Sequence, residues 1–166
     1  MITHLYVLRH GTAVQHGTPG VPESERPLTP EGEKEVAGVA EAFDRLGLDP
    51  ERVYTSPLPR ARRTAEIVAR ELGLEEKLEV ADVLSAGSSP RAIRDWLAGR
   101  KEDRVLIVGH NPDFTDLVGL LTGMPSVEEL PFDLKKGGCA ALRAKAGGGY
   151  ELRWLVTPKL LRKLVD

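Results

Sequence analysis

The sequence predicts an α/β fold, a three-layer α/β/α sandwich in which helices cover both faces of a mostly parallel β-sheet. Three short apolar runs rich in β-branched residues, His4–Arg9, Arg52–Thr55 and Arg104–Gly109, predict strands buried on both faces, because their apolar residues run on rather than alternate. Helical patterns separate the runs, and such alternation is typical of a parallel sheet. We expect the 166 residues to form one domain, 1–166.

Proline and glycine bound the predicted helices. Proline suits the first helical turn and glycine the end of a helix, so each helix is expected between one such pair of signals. The four starts are Thr29-Pro30, Ser56-Pro57, Ser89-Pro90 and Asn111-Pro112, and the matching ends are Gly47, Gly73, Gly99 and Gly123.

Weaker signals complete the element order. A further strand is expected at Leu78–Ala81, and Gly138–Ala144 and Tyr150–Val156 flank three glycines in a pattern typical of a β-hairpin. A short helix is expected after Thr157-Pro158. Residues 13–28 form one long irregular stretch, and loops of that length are often functional.

Composition narrows the function classes. The formal net charge is −2, so no overall basic field predicts binding to nucleic acid or to an anionic membrane. The one cysteine, Cys139, permits no internal disulfide and no thiolate zinc site, and we expect it to be a buried apolar residue.

The apolar residues 1–8 have no basic leader and run into Arg9, which indicates a core strand of a cytoplasmic protein. Frequent Arg, Glu and Pro, with one Asn and one Gln, suit a heat-stable protein.

Polar residues follow three of the predicted strands. They are Arg9-His10-Gly11-Thr12, the stretch from Thr55-Ser56 to Arg60, and Gly109-His110-Asn111-Pro112. Parallel strands bring their carboxyl ends to one edge of the sheet, where α/β proteins bind ligands. One crevice is therefore expected to carry two histidines and at least two arginines.

This set of side chains fits a phosphoryl group. The planar fork of Arg matches phosphate oxygens, so Arg9, Arg60 and a protonated His110 are expected to neutralise the charge of a transferring phosphoryl group. A neutral His10 would be the nucleophile, since neighbouring arginines disfavour its charged form. Gly11 would let the backbone approach the phosphate, and the helix after Ser56 would add N–H donors.

Other residues near these strand ends are lesser candidates for binding substrate. Thr12 either bonds phosphate or closes the turn, and His16 either contacts phosphate, donates a proton or is an exposed loop residue. Arg26 either pairs with Glu25 or faces substrate. Ser56 and Asn111 complete the predicted substrate-binding set, together with Gly11.

Four motifs in order resemble those of the histidine phosphatase superfamily, which has the phosphoglycerate-mutase-like fold. Residues 8–11, Leu-Arg-His-Gly, resemble its signature, and residues 26–32, 55–65 and 108–112 resemble its first-helix, second-arginine and second-histidine motifs. The resemblance implies that His10 is phosphorylated, that Arg9, Arg60 and His110 bind the phosphoryl group, and that no metal or cofactor takes part. Water or a second substrate would then resolve the phosphohistidine.

Two departures from the larger members narrow the expected substrate. Those members carry a glutamate general acid after the third strand, where this chain has Ser85, with Asp82 out of register; they also carry a lid insertion, for which this chain has no room. The chain thus resembles the short bacterial phosphohistidine phosphatases. A proton donor matters least for a labile P–N bond, so the expected substrate is phosphohistidine in a protein.

Four alternatives remain at this point. A phosphomonoesterase would act on a small phosphorylated metabolite, and a phosphoglycerate mutase would need the missing acid and lid. A metal-dependent hydrolase would use His10, His16, His110 and Asp113, although their spacing fits no helical zinc motif. A non-catalytic module would only bind phosphorylated partners.

Overall fold

The computed structural model describes residues 1–124 and 130–165, which place a mixed β-sheet between two layers of helices. The strands are β1 (His4–Arg9), β2 (Arg52–Thr55), β3 (Leu78–Val80), β4 (Arg104–Gly109), β5 (Cys139–Ala144) and β6 (Tyr150–Val156). Their order is β3-β2-β4-β1-β5-β6; the first four are parallel, and β5 and β6 form the antiparallel hairpin at one side. The predicted sandwich with a mostly parallel sheet is confirmed.

The helices begin and end close to the predicted signals. They are α1 (Pro30–Arg45), α2 (Pro59–Glu71), α3 (Pro90–Ala98), α4 (Asp113–Thr122) and α5 (Pro158–Arg162). Thr29 caps α1 by accepting a hydrogen bond from the Gly32 N–H, and Gly123 ends α4 in the left-handed region at φ 78°. Three short 3-10 turns, at Glu23–Glu25, Glu75–Lys77 and Asp82–Leu84, were not predicted.

Both faces of the sheet are buried, which explains the continuous apolar runs. In β4, Val105 and Ile107 belong to the core under α3 and α4, whereas Leu106 and Val108 belong to the core under α1, α2 and α5. Cys139 is fully buried, as predicted, and burial raises the pKa of its thiol. In the part of the chain that is described, no helix is long and apolar enough to cross a membrane.

Strand register brings the polar strand ends together. Arg9 pairs with Gly109 across β1 and β4, and Thr55 pairs with Val108 across β2 and β4. A Cβ atom on Gly109 would lie 2.5 Å from Cζ of Phe114, so the glycine lets the start of α4 pack closely on the end of β4. The residues after these three strands therefore meet at one edge of the sheet.

Candidate active site

A cavity of about 440 Å³ opens at the carboxyl ends of β1, β2 and β4. Four predicted catalytic residues line it, Arg9, His10, Arg60 and His110. We call it the strand-end cavity. Its remaining charged lining residues among those described are Arg26, Lys136, Glu23 and, when protonated, His16.

His10 is buried with one ring nitrogen engaged. The residue is 5% exposed, and Nδ1 lies 2.7 Å from the carbonyl oxygen of Gly11. A carbonyl only accepts, so Nδ1 carries the proton and Nε2 keeps a free lone pair. Burial, followed by the charges of Arg60 and Arg9, lowers the pKa of His10 to about 4, against the opposing pull of the Gly11 carbonyl. His10 is therefore neutral at rest, as expected of a nucleophile. The main cause is burial, whereas the sequence analysis expected the charges of the neighbouring arginines to be the cause.

His110 lies beside His10, with their ring centroids 5.2 Å apart. Its Nε2 is 2.7 Å from Oγ of Ser56, while its buried Nδ1 has no hydrogen-bond partner among the described residues. Burial, then His10 and Arg60, lowers the pKa of His110 to about 3. The ring of His110 is therefore neutral in the ligand-free protein, because burial among positive charges disfavours its protonated form; a protonated His110 around a bound phosphoryl group stays a prediction.

Arg9 and Arg60 each donate a hydrogen bond from one terminal guanidinium nitrogen to a backbone carbonyl. Nη1 of Arg9 donates to the carbonyl of Leu134 at 2.9 Å, and Nη1 of Arg60 donates to the carbonyl of Glu23 at 3.0 Å. Arg60 is 3% exposed. The Nε atoms of both arginines are buried and lack a partner in the described parts of the chain. Two guanidinium groups that line one cavity suit an anion with several oxygens, such as a phosphoryl group.

Glu23 is one of two charged cavity residues that the sequence analysis missed, the other being Lys136. Its carboxylate accepts hydrogen bonds from Arg26 at 2.7 and 2.8 Å, meets Arg60 at 3.3 Å, and lies 2.6 Å from Nδ1 of His16. The hydrogen bonds from Arg26 and then His16 lower its pKa to about 2. Arg26 thus pairs with Glu23 and not with Glu25, because the 3-10 turn presents Glu23 to it. The length of loop 13–28 was the one sequence signal for this group.

Three predicted substrate contacts support the site from behind and do not line the strand-end cavity. The Gly11 N–H donates to Oγ1 of Thr64 at 3.0 Å, and a Cβ on Gly11 would lie 2.5 Å from Val36 Cγ2. Gly11 therefore permits packing against α1, and this close packing accounts for the glycine without the expected approach of phosphate to the backbone, which stays a prediction. The carbonyl of Thr12 accepts from the Thr29 N–H, which favours the turn role that we considered.

Ser56 is the third of these residues, and its hydroxyl is directed to His110. The Leu58 N–H at the start of α2 donates to the same hydroxyl at 3.2 Å. We expected N–H groups at the start of α2 to donate to the anion. The Leu58 N–H already donates to Ser56, so it is not available for that role.

His16 and Asn111 do line the cavity, although Asn111 has another task. The Nδ2 group of Asn111 donates to Asp133 at 2.9 Å and to the carbonyl of Leu134 at 3.0 Å. Asn111 therefore anchors the segment whose carbonyl holds Arg9. His16 stands at the rim with its side chain 81% exposed.

Asp113, the first residue of α4, anchors the loop at residues 85–88. Its carboxylate accepts from the N–H groups of Gly87 at 2.7 Å and Ser88 at 3.2 Å, and Ala86 between the loop's serines lines the cavity. The carboxylate of Asp113 is therefore already hydrogen-bonded to backbone N–H groups. Within residues 1–124 and 130–165, no three His, Cys, Asp or Glu side chains group as metal ligands would.

Comparison with known proteins agrees with this geometry. Residues 5–84 match the family model of the histidine phosphatase superfamily (branch 1). The chain is 35% identical to an uncharacterised protein of Picosynechococcus sp. over 95% of this chain and 98% of that one. It is 27% identical to phosphohistidine phosphatase SixA of Escherichia coli strain K12, over 93% of each chain.

The fold of this chain is also similar to that of a solved structure. The protein histidine phosphatase SixA complexed with tungstate superposes with a TM-score of 0.81 at 27% identity, over 95% of this chain and 99% of that one. No inserted helix or hairpin interrupts the described elements of this chain to form a lid. By sequence and by fold, the chain belongs to the histidine phosphatase superfamily.

Proposed function

We propose that this protein is a phosphatase that removes the phosphoryl group from phosphohistidine in a protein, through a phosphohistidine formed on His10. The observation that carries the proposal is the state of His10. Its ring is buried and neutral, the Gly11 carbonyl holds its proton on Nδ1, and Nε2 is left with a free lone pair in a residue that lines the same cavity as Arg9 and Arg60. This is the form an imidazole nucleophile needs.

The reaction has two displacements at phosphorus. In the first, His10 Nε2 bonds to phosphorus while the bond from phosphorus to the substrate imidazole breaks, and that imidazole keeps the electron pair and takes a proton from solvent. In the second, a water oxygen bonds to phosphorus while the P–Nε2 bond breaks and its electron pair returns to Nε2. The hydrogens of that water leave with the phosphate or pass to solvent, and His10 returns to its neutral form with the proton still on Nδ1.

Positive charge around the cavity supports both displacements. Arg9 and Arg60 carry buried Nε donors that have no partner among the described residues, and Arg26 and Lys136 also line the cavity. The phosphoryl group spreads its charge over three oxygens in the transition state, so fixed cations lower the barrier mainly through electrostatics. No step requires a metal ion, and we propose that the activity is metal-independent.

The carboxyl groups near the cavity favour a labile leaving group. Glu23 is the one carboxylate that lines the cavity in the described ranges, and its pKa of about 2 leaves it without a proton to donate near neutral pH. An alkoxide leaving group needs a donor, whereas a P–N bond to imidazole needs less help. This favours phosphohistidine over phosphate esters.

One observation favours a second candidate, a phosphomonoesterase acting on a small phosphorylated metabolite. Arg26 and Lys136 stand in the cavity wall in addition to the two central arginines. Two extra cations would suit a second anionic group on a small substrate, such as a carboxylate.

Release of phosphate from a phosphorylated histidine-containing protein domain, compared with release from phosphoglycerates and sugar phosphates, tests the proposal. We expect the highest kcat/KM on the domain, no activity in His10→Gln, and unchanged activity in the presence of EDTA. A higher kcat/KM on sugar phosphates favours the second candidate, and loss of activity with EDTA contradicts metal independence. Phosphate-ligand binding without turnover on any substrate leaves the binding module as the better description.

A further inference from the structure

Ser56 is fully buried behind the strand-end cavity, with its hydroxyl between the start of α2 and the ring of His110. Its Oγ accepts a hydrogen bond from the Leu58 N–H at 3.2 Å and lies 2.7 Å from His110 Nε2. The described residues place no other hydrogen-bonding group on this hydroxyl. Its two contacts therefore decide where its single hydrogen goes.

The hydroxyl hydrogen has one acceptor within reach. A serine hydroxyl offers one donor and two lone pairs, and the Leu58 N–H, itself a donor, takes a lone pair. If His110 Nε2 also donated, the hydroxyl hydrogen would be buried without an acceptor, which is unfavourable. If the hydroxyl donates to Nε2, the hydroxyl hydrogen and the lone pair of Nε2 are both satisfied, and only Nδ1 is left without a partner among the described residues. The second arrangement puts the ring proton of His110 on Nδ1.

We propose that Ser56 is a positioning residue that fixes the proton of His110 on Nδ1, so that the ring offers an N–H donor to a phosphoryl oxygen. The inference rests on the proposed function to the extent that the cavity holds a phosphoryl group. Nδ1 is the ring nitrogen that remains for a ligand, since it is buried and lacks a partner among the described residues.

With its proton on Nδ1, a neutral His110 can still donate a hydrogen bond to an anion. The low pKa of His110, about 3, means that the ring is neutral near pH 7, and a neutral ring helps an anion only through its one N–H. The two neighbouring rings then play opposite parts although both carry the proton on Nδ1. His10 presents the bare Nε2 to phosphorus, and His110 presents Nδ1–H to an oxygen.

The test is ring ¹⁵N NMR of histidine-labelled protein at pH 7, with His110 assigned by loss of its signals in His110→Gln. We expect a protonated Nδ1 and a bare Nε2 for His110 in the wild-type protein, and loss of this preference in Ser56→Ala. Thr55→Val is the matched control, because Oγ1 of Thr55 donates to the Ser56 carbonyl at 3.1 Å and does not reach His110. It should keep the wild-type tautomer.

Titration with inorganic phosphate adds a functional readout that needs no substrate. Ser56→Ala should weaken phosphate binding roughly tenfold, since one well-oriented donor is lost, and Thr55→Val should not. A wild-type His110 protonated on Nε2 overturns the proposal even if Ser56→Ala fails to fold, and so does an unchanged tautomer or unchanged phosphate affinity in folded Ser56→Ala. Failure to hydrolyse phosphohistidine would contradict the proposed function while leaving these two results intact.

Discussion

Keeping His10 uncharged inside the protein makes folding sensitive to acid. The ring is buried, and its pKa falls from the ordinary value of 6.5 to about 4. Between these two values the unfolded chain binds more protons than the folded one, so the free energy of unfolding falls as the pH is lowered from 6.5 toward 4. From pH 7 to pH 5, His10 alone should remove about 2 kcal/mol of stability.

Urea unfolding at pH 7 and at pH 5 measures this contribution. We expect His10→Gln to lose about 2 kcal/mol less than the wild-type protein between the two values, because the variant has no imidazole to protonate on unfolding. His16→Gln is the control: it removes a histidine whose side chain is 81% exposed and leaves His10 in place, so the part of the loss that comes from His10 should remain. If wild type and His10→Gln lose the same stability to within about 0.5 kcal/mol, folding does not hold His10 uncharged and the argument is refuted.

Two further substitutions test other contacts of the site. Glu23→Gln should strengthen binding of inorganic phosphate severalfold in calorimetric titration, because the carboxylate that competes for Arg60 loses its charge; Glu25→Gln should bind like wild type, and weaker binding in Glu23→Gln would contradict the competition. Gly11→Ala should lower the free energy of unfolding by about 2 kcal/mol, since its Cβ would lie 2.5 Å from Val36 Cγ2. Adding Val36→Ala should relieve part of that strain, and a Gly11→Ala protein as stable as wild type would show that α1 adapts freely.

Continuous apolar runs predicted the fold well, because burial of both sheet faces leaves no room for polar alternation. Residues such as Leu106 and Ile107 are adjacent in sequence and reach opposite cores, so both must be apolar. The 3-10 turns escaped prediction since three residues carry no periodic pattern. One of these turns decides that Glu23, and not Glu25, meets Arg26.

The strand-end rule brought together Arg9, His10 and His110, because strand register alone sets their neighbourhood. It could not separate residues that face the cavity from those that support it. Ser56 stands as near the strand end in sequence as His10 does, yet its side chain serves His110. The protonation states of His10 and His110 could not be predicted from the sequence either, because they depend on burial by residues that are distant along the chain.

The covalent state of His10 is the most direct test of the proposed reaction. After rapid mixing with a phosphohistidine-carrying domain and quenching at alkaline pH, where phosphohistidine survives, mass spectrometry should find one phosphate on the peptide that contains His10. The His10→Gln protein should carry none and release no phosphate. Steady turnover with no phosphorylated peptide, or with the phosphate on a different residue, would contradict nucleophilic catalysis by His10.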